Sequence, residues 1–361
     1  MRIEKLSSGW AVRSIMKRAK TMTTRKAMIV IGLVLAAMAP ARGADDVAAF
    51  YKGKTIRIVV GTGPGSGYDI TARTLAHHMS AYIPSNPMII VQNQPGAGGV
   101  TMTNSINANG PFDGTVIGAP FNGTPTVPLL QPQNARFDGT KLIYIGSTNR
   151  ETQVMYVWHT VPITTLDQIK TTELILGAQG PGSTQYDYPV LLNRLLGYKF
   201  KLVTGYESTP QIHLALERGE VQGTIANWST LKALNAGWLA DKKVRLLVQW
   251  GIKKLPEIGD VPSIFDYVKT DADRAAVKLV VARLEYGRPF FLPPGVPADR
   301  VAALRRAFDA TVKDPAFIAE AKREKIDIDP LSGEEVQKLV DDVSHTPADV
   351  VTRVREALAN K

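Results

Sequence analysis

No cysteine occurs anywhere in the 361 residues. That excludes a disulfide framework, a thiol nucleophile and every thiolate metal site, so packing alone must hold the fold. Histidine is scarce: the five are His77, His78, His159, His213 and His345. His77 and His78 are adjacent on a helical pattern and point to different faces, so they cannot chelate as an i, i+4 pair would. No metal and no cofactor are expected. The carboxylate pairs Glu334-Glu335 and Asp341-Asp342 fall on solvated helical stretches and read as surface charge rather than acid–base pairs. No catalytic residue is assigned. The dinucleotide fingerprint is also missing, because Ser66, Tyr68 and Ile70 stand where it needs glycine or alanine. Gly53-Lys54-Thr55 lacks the upstream glycine of a P-loop, and Ser66 is outside a G-x-S-x-G frame.

Long apolar runs are almost absent. The one at the N-terminus covers residues 27–39, AMIVIGLVLAAMA, behind Arg25-Lys26 and ahead of Ala39-Pro40-Ala41. It is short for a membrane span and carries a small-residue cleavage pattern, so residues 1–44 read as a secretory signal peptide. A start at Met22 would give a leader of more ordinary length. The mature chain is expected to be exported. Basic excess is absent from that mature chain. Of 43 Lys/Arg and 33 Asp/Glu, residues 1–44 hold nine and one, which leaves 34 and 32 and a net charge of +2. Nucleic-acid binding, which needs a basic folded surface, is therefore not expected.

What the chain does have is glycine in two strategic windows. Residues 56–73, IRIVVGTGPGSGYDITAR, pass from a β-branched run through Gly61, Gly63, Gly65 and Gly67 into a helical pattern. Asp69 reads as the cap of a helix over residues 70–83. Residues 173–196 repeat the plan: an apolar strand, Gln179-Gly180-Pro181-Gly182-Ser183-Thr184, then a helix. Glycine lets backbone approach a ligand, and the free N–H groups of a first helical turn suit an anion. The rest alternates short strands with amphipathic helices, the mark of an α/β fold. Two such loops, each heading its own half, would face each other across a cleft at the carboxyl ends of strands. The tail is mostly helical, with Asp314 capping Pro315 onward and a Ser332/Glu335 capping box.

One further set of residues carries a likeness. Gly63-Pro64-Gly65-Ser66-Gly67-Tyr68-Asp69, then Asn93-Gln94-Pro95-Gly96-Ala97-Gly98-Gly99, Asp113-Gly114-Thr115, Gly177-Ala178-Gln179-Gly180-Pro181-Gly182-Ser183, Asp260-Val261-Pro262-Ser263 and Leu292-Pro293-Pro294-Gly295-Val296-Pro297 follow one another in order. The chain resembles the extracytoplasmic solute receptors of tripartite tricarboxylate transporters, the Bug or TctC type. The resemblance implies a two-domain periplasmic-binding-protein (Venus flytrap) fold with crossing strands between domains. It places domain 1 at residues 45–147 and 250–361 and domain 2 at 148–249. It implies a periplasmic receptor that captures a small carboxylate in the interdomain cleft and delivers it to integral-membrane permease subunits. Such a receptor is expected to be a monomer and not an enzyme. The ligand-binding residues it points to are Gly65, Ser66, Gly67, Tyr68, Asp69, Phe121, Asn122, Thr124, Gln179, Gly182, Ser183, Thr184, Asn227 and Trp228. Tyr68, Phe121 and Trp228 would suit a ligand with an apolar or aromatic part. Two other readings stand beside it: a periplasmic hydrolase or isomerase using the same cleft, and a ligand receptor feeding a sensor protein.

Overall fold

Residues 55–60 alternate at first and then turn fully inward: the strand TIRIVV exposes Thr55 and Arg57, buries Ile56 and Ile58, and ends on the buried Val59 and Val60. Each such side chain contributes about 1.5–3 kcal/mol by leaving water. The computed structural model describes residues 41–359. The leader read over residues 1–44 therefore lies, except for its last four residues, outside the described residues.

In chain order the elements are α1 (Ala41–Tyr51), β1 (Thr55–Val60), α2 (Gly67–Met79), β2 (Met88–Asn93), α3 (Val100–Asn109), β3 (Val116–Ala119), α4 (Val127–Leu130) and β4 (Ile143–Ser147). Then come β5 (Gln153–Trp158), β6 (Leu174–Gly177), α5 (Thr184–Leu196), β7 (Phe200–Val203), α6 (Thr209–Glu217), β8 (Gly223–Asn227), α7 (Trp228–Ala240) and β9 (Val244–Trp250). The remainder is α8 (Asp271–Ala282), β10 (Pro289–Leu292), α9 (Ala298–Thr311), α10 (Pro315–Arg323), β11 (Leu331–Ser332), α11 (Gly333–Ser344) and α12 (Ala348–Leu358).

Among the described residues the strands form two sheets. The first has the order β11-β4-β10-β3-β1-β2, with β1, β2 and β3 parallel and β10 antiparallel to both β3 and β4. The second has the order β7-β6-β8-β5-β9, with β6, β7 and β8 parallel and β5 antiparallel to β8 and β9. The chain passes from the first sheet to the second through the five residues between β4 and β5, and returns between β9 and β10. Each sheet thus heads one α/β lobe. Helices α8 and α12 pack in the core of the second lobe, where Val277, Val280, Val354 and Leu358 share a buried cluster with Met155, Leu176 and Leu191.

The parallel strands explain where the functional loops go. In both sheets the turn after a parallel strand opens directly into a helix, so β1, β6 and β8 each deliver a helix N-terminus at their carboxyl ends. One local expectation needs correcting. The cap of α2 is Ser66, whose hydroxyl accepts the Asp69 amide at 3.2 Å, and the helix starts at Gly67. Asp69 is already inside the first turn. The tail caps appear as expected: Asp314 accepts the Ala316 amide, and Ser332 and Glu335 form a reciprocal box.

Candidate functional site

Four helices begin around one small cavity. Ser66, Gly67 and Tyr68 supply the first turn of α2, and Thr184 and Gln185 that of α5. Thr209 opens α6, and Asn227 and Thr230 open α7. Thr62, Phe121, Gln153, Gln179 and Ala226 complete the wall, which therefore draws on both lobes. The space enclosed is about 30 Å³, room for a water or two but not for an organic acid.

The chemistry of the wall is specific. None of its lining residues is charged. At α7 the first two amides are already taken, Trp228 N–H by the Thr152 carbonyl at 2.9 Å and Ser229 N–H by Asn227 Oδ1 at 2.9 Å, and α6 has Pro210 in its first turn. The first amides of α2 and α5 have no intrahelical acceptor, and each helix carries a partial positive charge at that end. Gln179 and Gln185 are both buried, and each keeps a side-chain oxygen without a hydrogen-bond partner among the described residues. Buried polar atoms of this kind are rare and call for a partner. Tyr68 and Phe121 meet edge to face at 5.0 Å between ring centroids and give the wall one apolar side.

A charged layer lies directly beneath. Glu151, on the first crossover, accepts from Asn122 Nδ2 at 2.7 Å, Gln153 Nε2 at 3.2 Å and the Tyr68 hydroxyl at 3.4 Å. Arg288 Nε donates to its other oxygen at 3.0 Å. Both side chains are buried, and each neutralises the other. Burial, then the neighbouring Glu151 carboxylate, pushes the Tyr68 phenol well above its ordinary value, so it stays a neutral donor. A second buried pair, Arg283 and Asp187 at 2.7 Å, sits under the second glycine loop. Asp187 also accepts the Gly182 amide at 3.0 Å.

The structure brings some of the residues singled out from sequence into the wall and assigns others to its support. Ser66, Gly67, Tyr68, Phe121, Gln179, Thr184 and Asn227 line the cavity. Gly65 does not; its amide is held by Asp69 Oδ2 at 2.8 Å. Asp69 is saturated, with Arg73 at 3.1 Å and Asn93 Nδ2 at 2.8 Å as further partners. Asn122 braces Glu151 and Tyr68, and Thr124 donates to the Gly98 carbonyl at 3.1 Å. Ser183 turns back on Gly180 O at 2.7 Å, and the Gly182 amide is taken by Asp187. Trp228 lies in a separate groove of about 720 Å³, beside Arg150, Leu255 and Asp327, with Lys232 over its ring. Thr62, Gln153, Gln185, Thr209 and Thr230 line the wall without having been singled out. Glu151 and Arg288 were also passed over. The one sequence signal for Glu151 is an acid in the polar gap between two apolar strands.

The family model for the tripartite tricarboxylate transporter family receptor (TctC) matches residues 71–355. The chain belongs to that receptor family. It is 24% identical over 327 residues to a UPF0065 protein of Bordetella bronchiseptica, a match covering 86% of each chain. Among solved structures, the periplasmic binding protein BugD superposes with a TM-score of 0.67 at 20% identity, over 85% of this chain and 97% of that one. MatC from Rhodopseudomonas palustris, solved with bound malate, gives 0.66 at 19% identity, over 85% and 99%. These structures share the fold of this TctC-family receptor, two α/β lobes with crossing connections.

Proposed function

We propose that this chain is a periplasmic solute receptor that closes its two lobes on a small carboxylate and hands it to the membrane permease of a tripartite tricarboxylate transporter. One observation carries the reading: four helix N-termini from two lobes converge on one cavity whose lining holds no charged residue. A helix N-terminus contributes up to about 2 kcal/mol to holding an anion in a partly buried site. Several together, with hydroxyl and amide donors, reach the roughly −8 kcal/mol of a micromolar complex. The malate held by MatC supports a carboxylate. The Tyr68–Phe121 edge favours one with an apolar face.

In this reading the receptor is a monomer made of a first domain (45–147 and 250–361) and a second (148–249), with α8 and α12 docked on the second. The ligand carboxylate takes the amides at the starts of α2 and α5 beside the Ser66 and Thr184 hydroxyls, and the unpartnered oxygens of Gln179 and Gln185 accept from a hydroxyl or amine elsewhere on the ligand. Asp69, Asn122, Thr124, Gly182 and Ser183 hold the loops in shape, and catalysis is not part of the role. A thermal-shift screen of mono-, di- and tricarboxylates against sugars, polyols and amines tests this. A true ligand at a hundred times its Kd stabilises the protein by about 2.7 kcal/mol. Shifts confined to uncharged or cationic solutes would overturn the reading.

A further inference from the structure

Arg288 stands at the end of the second crossover, immediately before β10, and is buried. A guanidinium has five N–H donors in a rigid plane. Here Nε donates to Glu151 Oε1 at 3.0 Å, on the first crossover. Nη1 donates to Gly67 O at 2.9 Å and to Thr71 Oγ1, both on α2 of the first lobe. Nη2 donates to Thr230 Oγ1 at 3.0 Å and Ser229 Oγ at 3.4 Å, both on α7 of the second lobe. One planar group therefore joins both lobes and both crossovers. Gly67 and Thr230 are themselves part of the cavity wall. The fit between them is close: a Cβ on Gly67 would collide with Thr230 Oγ1 and stand 2.9 Å from Arg288 Nη2.

We propose that Arg288 is the positioning residue that sets lobe closure. Its bonds to α2 hold the first lobe's half of the cavity, and its bonds to Ser229 and Thr230 form only when the second lobe has swung in. Closing the lobes and completing the Arg288 fork are then one motion, with or without a solute between them. Glu151 keeps the cation charge-balanced, so the guanidinium can stay buried whether or not an anion lies above it. Lysine, with a single rotating ammonium, cannot span the same five acceptors. The proposal rests on the reading that the lobes open and close, but its test uses no ligand and so stands apart from the solute question.

The chain has no cysteine, so Met88→Cys and Lys201→Cys place two unique spin labels, one on the outer strand of each sheet. Both positions are exposed. Pulsed electron–electron double resonance then reads the interlobe distance in solution. In the otherwise unaltered protein one population at the distance of the present structure is expected. Arg288→Gln and Thr230→Val should each add a longer-distance population while far-UV circular dichroism stays unchanged. Coincident distributions in all three proteins would overturn the proposal. If Arg288→Gln loses its dichroism signal, Thr230→Val, which deletes one hydroxyl, decides by the same criterion.

Discussion

Gly98 of the first lobe rests against the backbone of Pro181 of the second: a Cβ built on Gly98 would collide with the Pro181 carbonyl oxygen and stand 3.0 Å from the Ser183 amide nitrogen. Gly98 also sits at φ +60°, the left-handed region. The Pro-Gly-Ala-Gly-Gly loop is thus glycine-rich where the two lobes touch. Gly98→Ala should hold the lobes apart, at a backbone cost of about 1–2 kcal/mol in addition. Affinity for the best carboxylate found by screening should fall at least about tenfold, and the radius of gyration from small-angle scattering should rise. Unaltered affinity would mean that closure does not bring these loops together.

Asp187 and Arg283 form an ion pair that water does not reach. Removing one partner of such a pair leaves a buried charge and costs about 3–5 kcal/mol. Asp187→Asn should therefore lower the guanidinium denaturation midpoint substantially. A midpoint within error of the parent would show the pair to be dispensable.

The pH dependence has a defined source in the second lobe. Burial lowers the His213 pKa from 6.5 to about 4, and Nε2 of this neutral ring pairs with the Tyr156 hydroxyl at 2.7 Å. Between those two values the unfolded chain takes up a proton that the native state refuses, so stability falls as pH falls through that window. Lowering the pH from 6.5 to 5 should cost about 2 kcal/mol, measured by urea unfolding. Carboxylates held below their ordinary range, such as Glu320 beside His77 and His78 and Asp273 beside Thr270 and Arg353, stabilise above the unfolded carboxylate range and lose that contribution below it. His213→Gln should flatten the upper window and leave the lower one. An unchanged slope in His213→Gln would place the effect elsewhere.

Tyr68 and Trp228 separate the cavity from the groove beside it. Tyr68 lines the small cavity and touches Phe121, whereas Trp228 belongs to a different groove. In titration calorimetry with the same carboxylate, Tyr68→Ala should weaken binding about tenfold or more, and Trp228→Ala much less. The opposite ranking would move the ligand to the larger groove.

Local features were legible from sequence and distant ones were not. The strand, glycine turn and helix of residues 55–79 follow from a β-branched run meeting Gly65-Ser66-Gly67, and the Ser332/Glu335 box from its spacing. The cap of α2 is misread from sequence as Asp69 rather than Ser66, because both are good cap formers three residues apart. Asn93, from β2, helps to decide between them by engaging Asp69. Trp228 could be placed at a strand end, but not on one side of it. Glu151 and Arg288 lie 137 residues apart in sequence. No periodicity signals such a contact, because both residues sit in crossovers, outside any repeating pattern.

The central claim is that helix starts from both lobes jointly hold one carboxylate. A crystal structure with the strongest carboxylate from the thermal-shift screen addresses it most directly. The account predicts carboxylate oxygens within hydrogen-bond reach of amides at Gly67 or Tyr68 and at Thr184 or Gln185, with Arg288 bonded to both lobes. A ligand touching one lobe alone, or seated in the groove beside Trp228, would contradict it.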